Sequence, residues 1–542
     1  MKVATACTQC RASKRKCWLP KHTRGLVPCA QCKRSKIDCS LGPQPSPNKP
    51  QQPTETPSTP PLIPPLRSPA LSDHLTRRLV ENYIWCIHDR PHSIFHLPTL
   101  RSAVRAKRLP PAILQALLSF GSLFHPDPDV SSLAPGFFED AKRHLHLDLE
   151  NVCVENVQAC ILIANLSAAL LRASSEALYF GIAIRMAEIL HLDVLDSTDT
   201  VAVQELKRRV WWTLFMCDHW CSAGNGIPRK MDSFNRTVEL PMDEYIFHRL
   251  DAGETTVYTR YEPGLWAHMI TLVENFGPIQ DLNWKVAHHD IEDAAAEDAV
   301  LSLMEMLAAW EDNLPAYVRY NETNLDNYRA KGLGGVFMAL HMGFNHYATL
   351  LYYQYLDVNR VATTREKEFA ERCKQYATAQ SILLSTARER GDCPLMYPGV
   401  GHSAVISSSV LLHTVMFGKE DETIAAKAHL VSNFQALKEL RQYWPSLELI
   451  VRRLTVFQAA CLRDADCHMY RFDKWMVRFL LEYHQLIDDK LPEYINLGLP
   501  VDTDDKVEWD LENLLQPGPS AASMPCDTIA CFNLKVIVSV EN

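Results

Sequence analysis

Six of the seventeen cysteines lie between positions 7 and 39, and their spacing repeats. Cys7, Cys10 and Cys17 read C-x2-C-x6-C, and after an eleven-residue loop Cys29, Cys32 and Cys39 read the same. Thiolate sulfur is a soft ligand that takes zinc in groups of four. Two zinc ions need eight bonds, which six thiolates supply only if two of them bridge. The symmetry of the repeat nominates the first cysteine of each half, Cys7 and Cys29. After Ala6 the same stretch has few large apolar residues beyond Trp18, Leu19, Leu26, Val27 and Ile37. A segment so poor in core is expected to fold on metal, where binding contributes about 10–16 kcal/mol per structural zinc in small finger peptides.

Charge separates this head from the rest. Residues 1–40 carry ten Lys or Arg against one acid, Asp38, a balance of +9, which leaves −18 on the remainder of a chain whose net charge is −9. A basic run follows each C-x2-C, with Arg11, Lys14, Arg15 and Lys16 in the first half and Lys33, Arg34 and Lys36 in the second. A basic head on an acidic body suits contact with phosphate by the head alone. The same runs read as nuclear import signals, and a nuclear location is expected. Lysine in a major groove donates to guanine O6 and N7, whereas arginine and lysine beside the groove meet phosphate oxygens.

These residues resemble the fungal zinc binuclear cluster transcription factors, whose head follows the same C-x2-C-x6-C, loop, C-x2-C-x6-C order. The first half, ACTQCRASKRKC, resembles that family's signature. The resemblance implies two zinc ions, and a short helix opened by each C-x2-C whose end reads a CGG triplet in double-stranded DNA. It also implies regulation of genes transcribed by RNA polymerase II. Lys14 falls where the family places its base-reading lysine, and Arg11, Arg15 and Lys16 fall among its backbone-contacting or structural basic positions. Ser13 departs from the second basic residue that many members carry there.

The elements that must hold this head are legible in outline. Residues 41–70 contain eleven prolines in thirty and are expected to form an extended spacer, which rules out a coiled coil directly after the head. Any homodimer is then expected to form through the helical body or on DNA. From 71 to 499 the texture is that of long amphipathic helices. Val203, Leu206, Val210, Leu214, Cys217 and Cys221 step along one predicted face, and Leu178, Ile182, Met186 and Ile189 along another. The fold class expected is a small zinc-stapled helical head, a proline-rich linker and a large all-α domain. Part of that domain, roughly Leu71 to Tyr245, resembles the fungal-specific regulatory domain. The resemblance rests on ENYIWCIHDRPHSIFHLPTL and on QELKRRVWWTLFMCDHWCSAGNGIPRKM, with Arg208, Arg209, Trp211, Trp212, Asp218 and Gly226 to Pro228.

The tail, 500–542, is acidic at first and expected to be disordered. Asp502 to Leu515 mixes acids with Trp509, Leu511, Leu514 and Leu515, the composition of a segment that recruits coactivators. The polar N-terminus and the lack of about 18 uninterrupted apolar residues argue for a soluble, intracellular chain without a membrane partner. In a reducing compartment the remaining eleven cysteines are expected to be free thiols. Enzyme chemistry is not expected. His92 and His96, His144 and His146, and His288 and His289 lack a third ligand in a motif, and Cys217 and Cys221 read as small buried hydrophobes. The rival reading is a zinc-headed scaffold or ligand sensor whose head meets protein rather than DNA.

Overall fold

The structure is a computed structural model that describes Cys7, Cys10, Cys17, residues 29–34, Cys39 and residues 71–485, except 91, 195, 232–237, 254–261, 358–361 and 464–469. Arg11, Lys14, Arg15, Lys16, residues 41–70 and the segment from Asp502 to Leu515 lie outside the described residues. The chain divides into two units, residues 1–65 and 66–542.

In the first unit the described helix is α1 (Ala30–Arg34), which starts directly after Cys29 and carries Cys32 on its buried side. Lys33 and Arg34 are exposed on it.

The second unit is built from helices whose ends are closed by their own side chains. Ser72 accepts a bond from the Leu75 amide at 3.2 Å. Thr363 and Glu366 cap each other, amide to side chain, at 3.3 and 2.7 Å. Asp473 accepts from the amides of Trp475 and Met476. These bonds satisfy donors that a first turn leaves open. The helices run α2 (Asp73–Cys86), α3 (Leu97–Arg105), α4 (Pro111–Leu123), α5 (Pro128–Ser131), α6 (Ala134–Leu147), α7 (Val154–Ala169), α8 (Ala173–Ile189), α9 (Val201–Asn225) and α10 (Glu244–Phe247). They continue with α11 (Leu265–His288), α12 (Asp293–Asp312), α13 (Glu322–Ala330), α14 (Gly334–Tyr352), α15 (Thr364–Arg390), α16 (Gly399–Phe417), α17 (Glu420–Arg441), α18 (Ser446–Arg463) and α19 (Lys474–Leu481). Among the described residues there is no β-strand, only two isolated bridges. The all-α expectation holds for this unit.

Helices α2, α4, α6, α7 and α8 pack in sequence, α9 crosses to α8 and α11, and α14 to α18 form the other flank, with α19 returning to α11. One continuous apolar cluster joins both flanks, from Val80 on α2 to Leu481 on α19. Helix α16 has the length and composition to cross a membrane, yet it is mostly buried by its neighbours. Its serines are matched by partners on them: Ser407 meets Ser381 at 2.7 Å, Ser408 meets Asn433 at 3.1 Å and Ser409 meets Tyr353 at 2.9 Å. Buried hydroxyls satisfied in this way belong to a core helix.

The predicted face of α9 is largely inward, with Val210, Leu214, Cys217 and Cys221 buried. The predicted face of α8 is split, since Met186 is buried and Ile182 packs against the core but the other two residues do not. Leu178 is 60% exposed and Ile189 56%, while Tyr179, Phe180, Ala183, Ile184 and Ala187 face the core. Packing against α7 and α9 covers the side that carries the aromatic pair, and Ser174, Arg185 and Glu188 share the exposed side with Leu178 and Ile189.

Helices α2 and α4 touch backbone to backbone at Gly121, where a Cβ would stand 2.0 Å from the Leu79 carbonyl oxygen. Gly121→Ala is expected to destabilise the unit at or beyond the upper end of about 1–3 kcal/mol, because a backbone collision cannot be relieved by a side-chain rotation. Gly136→Ala, with open space around its Cβ, should be neutral or stabilising by up to about 1 kcal/mol. Denaturant unfolding of the two variants checks the contrast.

Candidate metal centre and the buried polar block

The repeat in the sequence becomes a repeat in geometry. The Cys10 amide donates to Cys7 Sγ at 3.3 Å, and the Cys32 amide to Cys29 Sγ at 3.4 Å. The Cys7 amide donates to Cys17 Sγ at 3.4 Å, and the Cys29 amide to Cys39 Sγ at 3.3 Å. Cys7, Cys10, Cys29 and Cys32 are buried, and Cys17 and Cys39 half-buried. Cys7 Sγ lies 3.8 Å from Cys29 Sγ and 3.6 Å from Cys32 Sγ, and Cys10 Sγ lies 3.7 Å from Cys29 Sγ.

Two sets of four sulfurs emerge, each with all members within 4.8 Å of one another: Cys7, Cys10, Cys17 and Cys29, and Cys7, Cys29, Cys32 and Cys39. Cys7 and Cys29 are common to both. An N–H aimed at sulfur favours thiolate. The Cys10 amide holds the Cys7 thiol below its usual range, and the Cys32 amide brings Cys29 down to about 6. Burial instead pushes Cys10 up to about 12. Soft donors in two overlapping groups of four fit zinc and leave no carboxylate or imidazole in the set.

A second concentration of charge lies in the helical unit. Arg209 on α9 is fully buried, and its guanidinium is surrounded. Nε donates to Glu205 Oε1 at 2.8 Å, Nη1 to Ser93 Oγ at 2.8 Å and Nη2 to the Met242 carbonyl at 2.6 Å. Glu244 Oε1 stands 3.5 Å away, and the Phe247 ring lies beneath at 4.6 Å. Glu205 also takes the Met242 amide and an ion pair from Arg208, which in turn reaches Glu239 at 3.0 Å. Glu244 accepts the amides of Leu265 and Trp266 at 2.9 and 3.0 Å and so caps α11. Burial pushes the Glu244 carboxyl up to about 7, against the pull of Arg209.

Ser93 passes the network on to Asp89 at 2.6 Å, and Asp89 meets His88 and His248 at 3.2 and 3.0 Å. Burial opposes the charge of Asp89, yet the two imidazoles hold its carboxyl well below the usual range. These three side chains lie within 4.8 Å of one another, but the carboxylate is already engaged by Ser93 and both rings. His92 and His96 are held by Tyr83 and Thr99 at 2.8 and 2.7 Å. Trp212 is core, with its indole N–H on the Glu239 carbonyl, and Trp211 packs at the margin. Asp218 accepts the amides of Lys230 and Met231 at 2.6 and 2.8 Å, which pins the loop after the left-handed Gly226. Cys217 and Cys221 are buried thiols that burial pushes up.

Residues 81–266, which contain this entire block, match the family described as the fungal specific transcription factor domain. The match runs past Tyr245 to Trp266, and so takes in the first two residues of α11, whose amides Glu244 accepts. An uncharacterized transcriptional regulatory protein of Schizosaccharomyces pombe is 24% identical over 489 residues, covering 80% of this chain and 58% of the relative. A Zn(2)-C6 fungal-type transcription factor of Fusarium oxysporum f. sp. lycopersici is 21% identical over 445 residues, covering 71% of this chain and 39% of the relative. A second Schizosaccharomyces pombe transcriptional regulatory protein is 23% identical over 304 residues, covering 49% of this chain and 31% of the relative. The chain thus spans well under two thirds of the length of each.

Proposed function

We propose that this protein is a DNA-binding transcription regulator of the Zn(2)-C6 fungal type, with a head held by two zinc ions and a helical domain that regulates it. The observation that carries the reading is the pair of four-sulfur sets sharing Cys7 and Cys29. In it Cys10 and Cys17 complete one zinc, Cys32 and Cys39 the other, and Cys7 and Cys29 bridge. Four thiolates per metal close the coordination and leave no open position for catalysis, so zinc here supplies folding, not chemistry. Arg11, Lys14, Arg15 and Lys16 then face DNA, with Lys14 on the guanines of a CGG triplet. Such a protein works in the nucleus.

Salt separates this reading from the protein-binding scaffold. Phosphate contacts release counterions, so affinity for duplex DNA should fall steeply with salt, whereas a mostly apolar protein contact should not. Within the DNA reading, Lys14→Ala should cost roughly 1–3 kcal/mol on a CGG duplex and much less on a scrambled one. Arg15→Ala should weaken both duplexes about equally and lower the salt slope by about 0.9. A titration series of both variants on both duplexes decides it. Equal loss on the two duplexes for Lys14→Ala would make that residue an electrostatic anchor and remove its base-reading role.

A further inference from the structure

Between its two flanks the helical unit holds a partly open cavity of about 160 Å³. Its wall is mostly apolar and includes Phe120, Phe180, Met269, Phe276, Met342 and Leu350. An apolar cavity near 150 Å³ takes up one benzene molecule. This one also has polar handles. Three wall residues are more than nine-tenths buried and have a side-chain atom with no hydrogen-bond partner among the described residues: His346 Nδ1, His402 Nδ1 and Ser446 Oγ. Buried polar atoms without partners are costly, and three around one void point to something that meets them.

The chemistry of one handle is fixed. His402 Nε2 lies 3.0 Å from the Leu480 carbonyl, which can only accept, so Nε2 carries the proton and Nδ1 presents a lone pair. Burial keeps the ring neutral, holding His402 well below its usual range and His346 at about 4. The charged groups on the wall are already engaged. Arg90 donates to the carbonyls of Pro394 and His88 at 3.0 Å each, and Glu176 stands 2.8 Å from His484 Nδ1 and accepts from Asn225. With these charges committed, an added ion would lose its hydration without gaining a counter-charge.

We propose that this cavity is a binding site for a small, uncharged, mostly apolar molecule of roughly six to ten non-hydrogen atoms that carries a hydroxyl or N–H donor for His402 Nδ1. Phenol and p-cresol are the simplest of the class. The site gives the domain a means of sensing such a compound. It is independent of the DNA reading, because the cavity lies within the helical unit and binding is measured without DNA.

The test uses the full-length protein labelled with ¹³C at the methionine methyls, titrated with p-cresol, toluene and benzoate. Met269 and Met342 line the cavity, and Met304 on α12 is not among its lining residues. p-Cresol is expected to shift the Met269 and Met342 signals saturably at one molecule per chain, and to bind on the order of 3- to 10-fold tighter than toluene, the worth of one hydrogen bond. Benzoate should leave both signals unmoved. His402→Phe keeps a ring of similar size without the lone pair, so it should bring p-cresol down to the affinity of toluene. No shift at the solubility limit of p-cresol, equal binding of p-cresol and toluene by the unaltered protein, or tight benzoate binding would each overturn the proposal, even if the variant failed to fold. A folded His402→Phe that kept its preference would do so too.

Discussion

Cys7→Ser should release both metal ions from the head at once, whereas Cys10→Ser or Cys39→Ser should release one. The asymmetry follows from the two sulfur sets, since Cys7 belongs to both while Cys10 and Cys39 each belong to one. Cys29→Ser should behave like Cys7→Ser. A serine hydroxyl does not ionise at neutral pH and cannot bridge two zinc ions as a thiolate does. Each structural zinc carries about 10–16 kcal/mol of folding free energy in finger-sized peptides, and the few apolar residues of the head cannot replace it. Loss of both metals should therefore abolish specific DNA binding at any salt concentration, with the helical unit still folded. The measurement is the zinc content of full-length protein after exhaustive dialysis, read beside far-ultraviolet circular dichroism. Two zinc ions retained by Cys7→Ser, or a single zinc in the unaltered chain, would refute the bridged arrangement.

How much of this was readable beforehand depended on the distance over which the information is spread. The six cysteines sit within thirty-three residues in a repeated pattern, and its symmetry together with zinc's need for four ligands nominates their grouping. The helical character of the unit was legible for the same reason, being a property of short windows. Its packing was not. Leu178 and Ile189 have the period of a buried face but lie outside, because α8 has apolar residues on both of its sides and its packing on α7 and α9 decides which side is covered. The polar block was half visible. Arg208 and Arg209 stood out within the domain's resemblance, yet their partners Glu239, Glu244 and Ser93 are 31, 35 and 116 residues away. Two arginines amid the apolar residues of α9 do announce that buried acids must exist, since a bare charge in a core is prohibitive, but not which acids. The cavity is the extreme case. Its handles come from α14, α16 and α18, and their lack of partners appears only once the helices are assembled.

Arg209 offers a sharp test of that block. Arg209→Met should destabilise the helical unit by about 3–5 kcal/mol at neutral pH, because it leaves Glu244 buried without its guanidinium and strips a partner from Glu205. Methionine roughly keeps the volume, so most of the loss is electrostatic rather than a cavity. The pH dependence distinguishes the two. In the intact protein Glu244 has a folded-state pKa of about 7, above its ordinary unfolded value, so its contribution to stability is complete below the unfolded pKa and is lost as pH rises to about 7. Removal of Arg209 takes away the main influence that lowers this pKa, and the folded value climbs further. Over the interval above pH 7 the variant then still holds a proton that its unfolded chain has released, and its stability continues to fall by up to about 1.4 kcal/mol per pH unit while the intact protein has levelled off at this group. The gap between the two proteins should thus widen from pH 6 to pH 8.5 in denaturant unfolding. A constant gap would assign the loss to packing. A gap under about 1 kcal/mol throughout would mean that the buried arginine does not hold α9 to α11, and that its place in the domain serves something other than stability.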